Sequence, residues 1–371
     1  MAILAAESKI KGEERKIPKI TTYPLELPFP AVFAAHPEWP VARQYKELLP
    51  REIADLFQSF LRSTIKAVED FKPDILHVQH ISLLLWVADF VNALYGTNFI
   101  VTSHGTGVAA ALENTAYIPL SQDALRKAKK IICVSRDNKK RLLKTFGEEF
   151  REKTRVIPGG IHLGSFPEET KITIINKKYK LKNKKIVLFT GRLTSQKGVE
   201  YLIKAGKDIK AQIYIIGDGP ELNKMKDLAA KLKLENIHFL GYMGKEQERE
   251  LKEFYSRADV FVAPSVVAEA LGLTILEAMA AGTPVVATRK GGIPLAVKNG
   301  TNGYLIRAKN SKQIAQAVNK ILSNETLRKK MSQNAWEIVK KKFTWEKIAL
   351  KFYNIYKKTK KNGKISKNGK K

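Results

Sequence analysis

Short apolar runs separated by amphipathic stretches dominate this chain, most regularly in its second half. Strand-like runs recur at 186–190, 212–216, 237–240, 259–263, 284–288 and 303–306. The gaps carry apolar residues at helical spacing over 221–234, 246–256, 274–281 and 311–322. Short apolar strands alternating with helices call for a parallel, doubly wound α/β sheet. The first half reads the same way, with strands over 74–78, 98–102, 130–134 and 154–157 and helices over 52–71, 83–94 and 137–146. A last amphipathic pattern at 343–356 gathers Trp345, Ile348, Phe352 and Ile355 on one face. At 371 residues the chain exceeds the size at which one core keeps growing, so two domains are expected.

The most informative stretch joins the 259–263 run to the helix beginning near Thr274. Glu269 and Glu277 bracket the turn, with seven residues between them. Gly272 permits close approach to the backbone. The first amides of the helix, at Gly272, Leu273 and Thr274, point outward at the positive end of its dipole. An anion fits there, and carboxylates on either side can hold hydroxyl groups. Ribose, diphosphate and sugar follow one another in that order in a nucleotide sugar. A plainer reading stays open, since Thr274-x-x-Glu277 matches a capping box and Glu269 alone reads as a solvated loop residue.

A second, basic motif follows the 186–190 run: Gly191-Arg192-Leu193-Thr194-Ser195-Gln196-Lys197-Gly198. Arg192 and Lys197 leave the carboxyl end of a strand, the edge outside which open α/β sheets bind ligands. Arginine offers a planar fork to phosphate oxygens and lysine a point charge. Solvated loop cations are the bland alternative in so basic a chain. Gly217-Asp218-Gly219-Pro220 ends another strand and places Pro220 near a first helical position, and Gly291-Gly292 reads as loop punctuation. In Val101-Thr102-Ser103-His104-Gly105, the histidine at a strand end either contacts substrate or caps a turn. His77 and His80 lie at another strand end, without a third metal ligand at suggestive spacing.

These motifs carry a resemblance. The segment 263–288 (APSVVAEALGLTILEAMAAGTPVVAT), with GRLTSQKG, IIGDGP at 215–220 and VIPGG at 156–160, resembles the retaining GT-B glycosyltransferases of glycosyltransferase family 4. The match covers roughly 75–353 and is most specific over 189–288. It implies two Rossmann-like doubly wound domains facing across a cleft, and a nucleotide-sugar donor whose diphosphate meets Arg192 and Lys197. It also implies that Glu277 binds the ribose, that Glu269 lies by the transferred sugar, and that the 272–274 amides contact sugar and phosphate oxygens. Gly217 is a candidate near the nucleotide, and His104 a candidate at the reaction centre. The catalytic set is then His104, Glu269, Arg192 and Lys197, with no metal and no cofactor beyond the donor. The expected organisation is an N-terminal acceptor-side domain over 1–160 and a nucleotide-sugar domain over 161–340. A helix over 341–356 crosses back, and a lysine-rich tail over 357–371 is read as disordered.

Composition narrows the function further. The single cysteine, Cys133, excludes an internal disulfide and fits a reducing compartment. The longest apolar stretch, 81–95, is too short to span a bilayer, and no signal-peptide pattern opens the chain. The expectation is a cytoplasmic protein. The 66 basic against 36 acidic residues leave a net charge of +30, which favours polyanions. No aromatic-interleaved strand or recognition helix accompanies that charge, which argues against nucleic acid. An anionic membrane face suits it better, because many family members glycosylate lipids. The acceptor is a glycan, a lipid or a small molecule, and the sequence does not choose among them.

Two departures from the family stand out. Family members begin with an apolar strand and a glycine-rich loop, whereas the first residues here resemble the region after the second strand. That first strand is central in the Rossmann order, so its loss leaves a gap. A start upstream of Met1 is the favoured explanation and a shortened, impaired protein the other. The second departure is His162 in Gly159-Gly160-Ile161-His162, where the family has aspartate. The competing functions are a non-catalytic nucleotide-sugar-binding or membrane-associated module and a GT-B-like sugar-nucleotide epimerase. No G-x-G-x-x-G follows a strand, which removes an NAD-dependent dehydrogenase.

Overall fold

A computed structural model of the chain describes residues 2–5, 21–25, 27–32, 43–166, 172–181 and 183–359. The chain forms two compact units. One runs up to Val156 and includes the segment from Lys351 onward; the other comprises Val134–Asp137 and Ile157–Leu350.

In the first unit, β1 (Ala2–Ala5) and β2 (Thr21–Pro24) pair in parallel, as do β3 (Ala31–Val32) and β4 (Arg43–Gln44). Strands β5 (Ile75–Gln79), β6 (Asn98–Ser103), β7 (Lys130–Cys133) and β8 (Thr154–Val156) form a parallel sheet in sequential order. Among the described residues no strand pairs with β5 on the side away from β6, and β1–β2 stay a separate pair. The helix Pro50–Phe71 starts on proline and buries Leu56, Phe60, Thr64 and Val68, one residue per turn along one face. The sheet packs Phe99, Val101, Ile131 and Cys133 against Leu85, Leu125 and Phe146. Burial pushes the Cys133 thiol up to about 12, so this cysteine is a core residue. Helices Thr106–Glu113 and Tyr117–Lys127 are elements that the sequence pattern did not reveal.

In the second unit the strands are β9 (Ile186–Thr190), β10 (Gln212–Ile216), β11 (Ile237–Gly241), β12 (Val260–Ala263), β13 (Val285–Thr288) and β14 (Gly303–Ile306). They form one parallel sheet in the order β11-β10-β9-β12-β13-β14. Side chains alternate between two cores. Ile186, Leu188, Tyr214, Ile216 and Phe261 pack with Tyr255, Leu276 and Met279 on one face. Val187, Phe189, Ile213, Val260 and Val262 pack with Leu202, Ile314 and Val318 on the other. Burial on both faces is why these strands read as continuous apolar runs. The long helix Glu325–Lys342, also absent from the sequence reading, buries Met331, Ala335 and Val339.

The last helix, Trp345–Thr359, extends three residues beyond 356. Residues 357–359 of the expected disordered tail are therefore helical, because Thr359 is buried and its carbonyl accepts from the Asn98 side chain. The rest of that tail lies outside the described residues. Among the described residues no helix is long and apolar enough to cross a membrane.

One close approach shapes the second unit's sheet edge. Gly217 has φ 144° just after β10, and a Cβ there would lie 1.9 Å from the carbonyl oxygen of Gly191. Gly217→Ala is therefore expected to destabilise the protein by about 2 kcal/mol or more through backbone strain, read as a lowered melting temperature. On the central strand, Phe261→Ala removes a fully buried ring. It should cost about 3–5 kcal/mol in urea titration; a loss under 1 kcal/mol would contradict this core assignment.

Candidate active site

Strand order brings the two motifs together. β9 and β12 are neighbours although β12 is three strands later in the chain, so the strand order reverses between them. Loops leaving the carboxyl ends of strands at such a switch point border a ready-made crevice. Here they are joined directly: the Val266 amide donates to the Gln196 carbonyl at 2.9 Å. Gly198, at φ 66°, lies so near the Pro264 carbonyl that a Cβ would sit 2.3 Å from its oxygen.

Lys197 and Glu269, predicted separately, meet in this place. Lys197 Nζ lies 2.7 Å from Glu269 Oε1, and Ser265 Oγ donates to the same oxygen at 2.6 Å. The Glu269 loop is braced from behind, since the Gly292 amide donates to the Glu269 carbonyl at 2.7 Å. A Cβ on Gly291 would lie 2.1 Å from that carbonyl oxygen. The glycine pair is thus part of the site's scaffold. Arg192 is half-buried, and among the described residues it has no carboxylate partner. Its loop is held by the Leu193 amide donating to the Asp218 carbonyl at 2.8 Å and the Gly191 amide donating to the Ile216 carbonyl at 3.0 Å. Gly217 acts as packing beneath that loop.

The helix Leu273–Ala280 starts at Gly272, which has φ 78°. The amides of Ile275 and Leu276 bond to the Gly272 carbonyl. Those of Leu273 and Thr274 precede the first intrahelical bond and remain orphan donors. Leu273 is 57% exposed. The capping-box reading fails, because the N-cap is Gly272 and not Thr274. Glu277 instead accepts from the Tyr255 hydroxyl at 2.5 Å. Burial raises its pKa above the usual carboxylate range, and the Tyr255 bond opposes that rise.

Tyr255, Thr190, Ser265, Gly291 and Gly292 are site-supporting residues that the sequence reading missed or left as punctuation. No spacing rule could reveal Tyr255, which lies on another helix 22 residues before Glu277. Ser265, four residues before Glu269, carried a faint local signal at most.

His104 belongs to the first unit's own cluster, following β6. Its Nε2 donates to Gln79 Oε1 at 2.9 Å, and its ring centroid is 4.5 Å from that of His80. His77 pairs with Tyr356 Oη at 2.6 Å and with Thr102 Oγ1 at 2.7 Å. Burial lowers both His77 and His104 to about 4, so both are neutral at neutral pH. Among the described residues no group of three or more His, Cys, Asp or Glu is placed to hold a metal ion.

The profile of "Glycosyl transferases group 1" matches residues 171–338, and that of "Glycosyltransferase Family 4" matches residues 24–164. An uncharacterized glycosyltransferase of Methanocaldococcus jannaschii is 36% identical over 236 residues, covering 61% of this chain and 59% of the relative. A second from the same organism is 31% identical over 257 residues, covering 69% of this chain and 67% of the relative. The chain thus matches between 59% and 67% of the length of these two curated relatives. Among solved structures, Anabaena HepE in complex with UDP superposes with a TM-score of 0.73 at 19% identity, covering 91% of this chain and 86% of that one. The likeness extends to the GT-B fold, with its two parallel-sheet α/β domains. This chain belongs to the glycosyl transferases group 1, glycosyltransferase family 4.

Proposed function

We propose that this protein moves a hexosyl group from a nucleoside-diphosphate sugar to a glycan, lipid or small-molecule acceptor, with retention of anomeric configuration. The observation that carries this reading is the junction of the β9 and β12 loops. That junction joins Lys197 to Glu269, while Arg192 lies on the loop that leaves β9 and the orphan amides of Leu273 and Thr274 open the helix that follows β12. The Anabaena neighbour was solved with UDP and with UDP-glucose, which supports a donor of that class.

In this reaction the bond from the sugar C1 to the diphosphate breaks and one forms to an acceptor oxygen, whose hydroxyl proton leaves with the diphosphate. Negative charge grows on the leaving diphosphate while positive charge grows on the sugar. Arg192, Lys197 and the helix amides stabilise the former, the electrostatic contribution expected to dominate. Lys197 exchanges its bond to Glu269 for a phosphate oxygen, and Glu269 then orients sugar hydroxyls. Glu277 holds the ribose, with Gly217 beneath the phosphate-facing loop. His104 takes part as a neutral hydrogen-bonding group, in keeping with its low pKa. The protein supplies the positive charge, so the reading needs no metal. The surplus of 30 positive charges supports action on the cytoplasmic side, beside an anionic membrane face.

Incubation with UDP-, GDP- and ADP-hexoses, followed by product analysis, tests the reading. Transfer supports it; an epimerised donor, or binding without turnover, would replace it with the epimerase or the non-catalytic module. With the active donor, Lys197→Ala should lower the release of nucleoside diphosphate by about a hundredfold or more, and a wild-type rate would remove the diphosphate role. Addition of EDTA should leave the wild-type rate unchanged, as followed in the same assay.

A further inference from the structure

Three oxygens line up beneath the proposed ribose site. Thr190 ends β9, and its Oγ1 lies 2.5 Å from Tyr255 Oη. Tyr255 Oη lies 2.5 Å from Glu277 Oε2. A phenol has one proton. A carboxylate can only accept, so that proton goes to Glu277, and the Thr190 hydroxyl must then donate to the Tyr255 oxygen. The direction of the chain is thereby set from strand end to carboxylate. Tyr255 cannot drift, being 1% exposed and packed edge-on against Phe166, with Phe261 at 5.8 Å between centroids. Its own carbonyl accepts from Thr283 Oγ1 at 2.6 Å. Glu277 Oε2 is therefore occupied, and Oε1 of this half-buried side chain is the oxygen left to meet a ligand.

Resting on the reading of Glu277 as the ribose-binding group, we infer that Tyr255 is a positioning residue. Driven by Thr190, it turns a single Glu277 oxygen toward a vicinal diol and so sets the site's preference for ribonucleotides. A carboxylate without this bond would be free to swing within the chain of contacts, and both its oxygens would compete for one hydroxyl pair. The same bond favours the charged form of Glu277 against the burial that disfavours it. Neighbouring charge does not interfere. The helix Leu273–Ala280 has no other titratable side chain, and neither do β12 and β13. On the packed helices Glu248–Arg257 and Glu325–Lys342, Tyr255 alone shifts Glu277. A carboxylate with a raised pKa loses its charge as pH falls through that pKa. Removing the Tyr255 hydroxyl raises it further, so loss of diol recognition must begin at a higher pH.

The experiment compares the affinities of UDP, GDP and ADP with those of their 2′,3′-dideoxy counterparts by calorimetry, from roughly pH 5.5 to 8.5. The proteins are wild type, Glu277→Gln, Tyr255→Phe and Thr190→Val. Wild type should prefer the ribose form of its nucleotide by roughly tenfold, the value of a hydrogen bond to a charged group. Tyr255→Phe should lose most of that preference, with its acidic limb moved to higher pH, and Thr190→Val should shift it in the same direction. If Tyr255→Phe does not fold, judged by circular dichroism, Thr190→Val carries the decision. Full wild-type preference and an unmoved pH limb in the folded variants would overturn the inference while leaving the ribose role of Glu277 intact. No wild-type preference for any of the three bases would overturn that role itself, and the inference with it.

Discussion

The adjacency of β9 and β12 is the constraint on which the site depends. Parallel strands all present their carboxyl ends to one edge, and only at the point where the order reverses do two loops turn away from each other and leave a crevice between them. In this sheet that point falls between β9 and β12. The backbone bond from Val266 to Gln196 and the glycine contact at Gly198 close the loops onto one another. Side chains 72 residues apart in the chain thereby come within 2.7 Å.

Charge at the crevice is balanced by different means on its two sides. Lys197 and Glu269 are partly exposed and pair with each other. Such a pair contributes little to stability. Glu277 is paired differently, accepting from Tyr255, and that bond opposes the rise in pKa that burial brings. The helix dipole and Arg192 add positive charge, and among the described residues Arg192 has no carboxylate partner.

The largest sheet of the first unit is built on the same parallel principle but from four described strands against six in the second unit, with β5 as an edge among the described residues. Its histidines gather at the carboxyl ends of β5 and β6, where Gln79 links His77 to His104. Burial keeps the His77 and His104 rings neutral, so they are hydrogen-bonding groups whose tautomers follow from their partners.

Much of this could be read from residue order alone. Every strand of the second unit's sheet was legible, since burial on both faces demands an unbroken apolar run. Most helices were legible too, since one buried face imposes a fixed period. The loop cations Arg192 and Lys197 and the glycine before the 273–280 helix were visible because each motif is local. Helices at Thr106–Glu113, Tyr117–Lys127 and Glu325–Lys342 escaped, their apolar faces being short or diluted by lysine and small residues. Tertiary structure alone decided that Glu277 serves Tyr255 instead of capping its own helix, that Lys197 meets Glu269, and that Gly291 and Gly292 brace the loop. Those outcomes depend on which strands are neighbours, and adjacency in a sheet is set by packing across the whole domain, not by spacing along the chain.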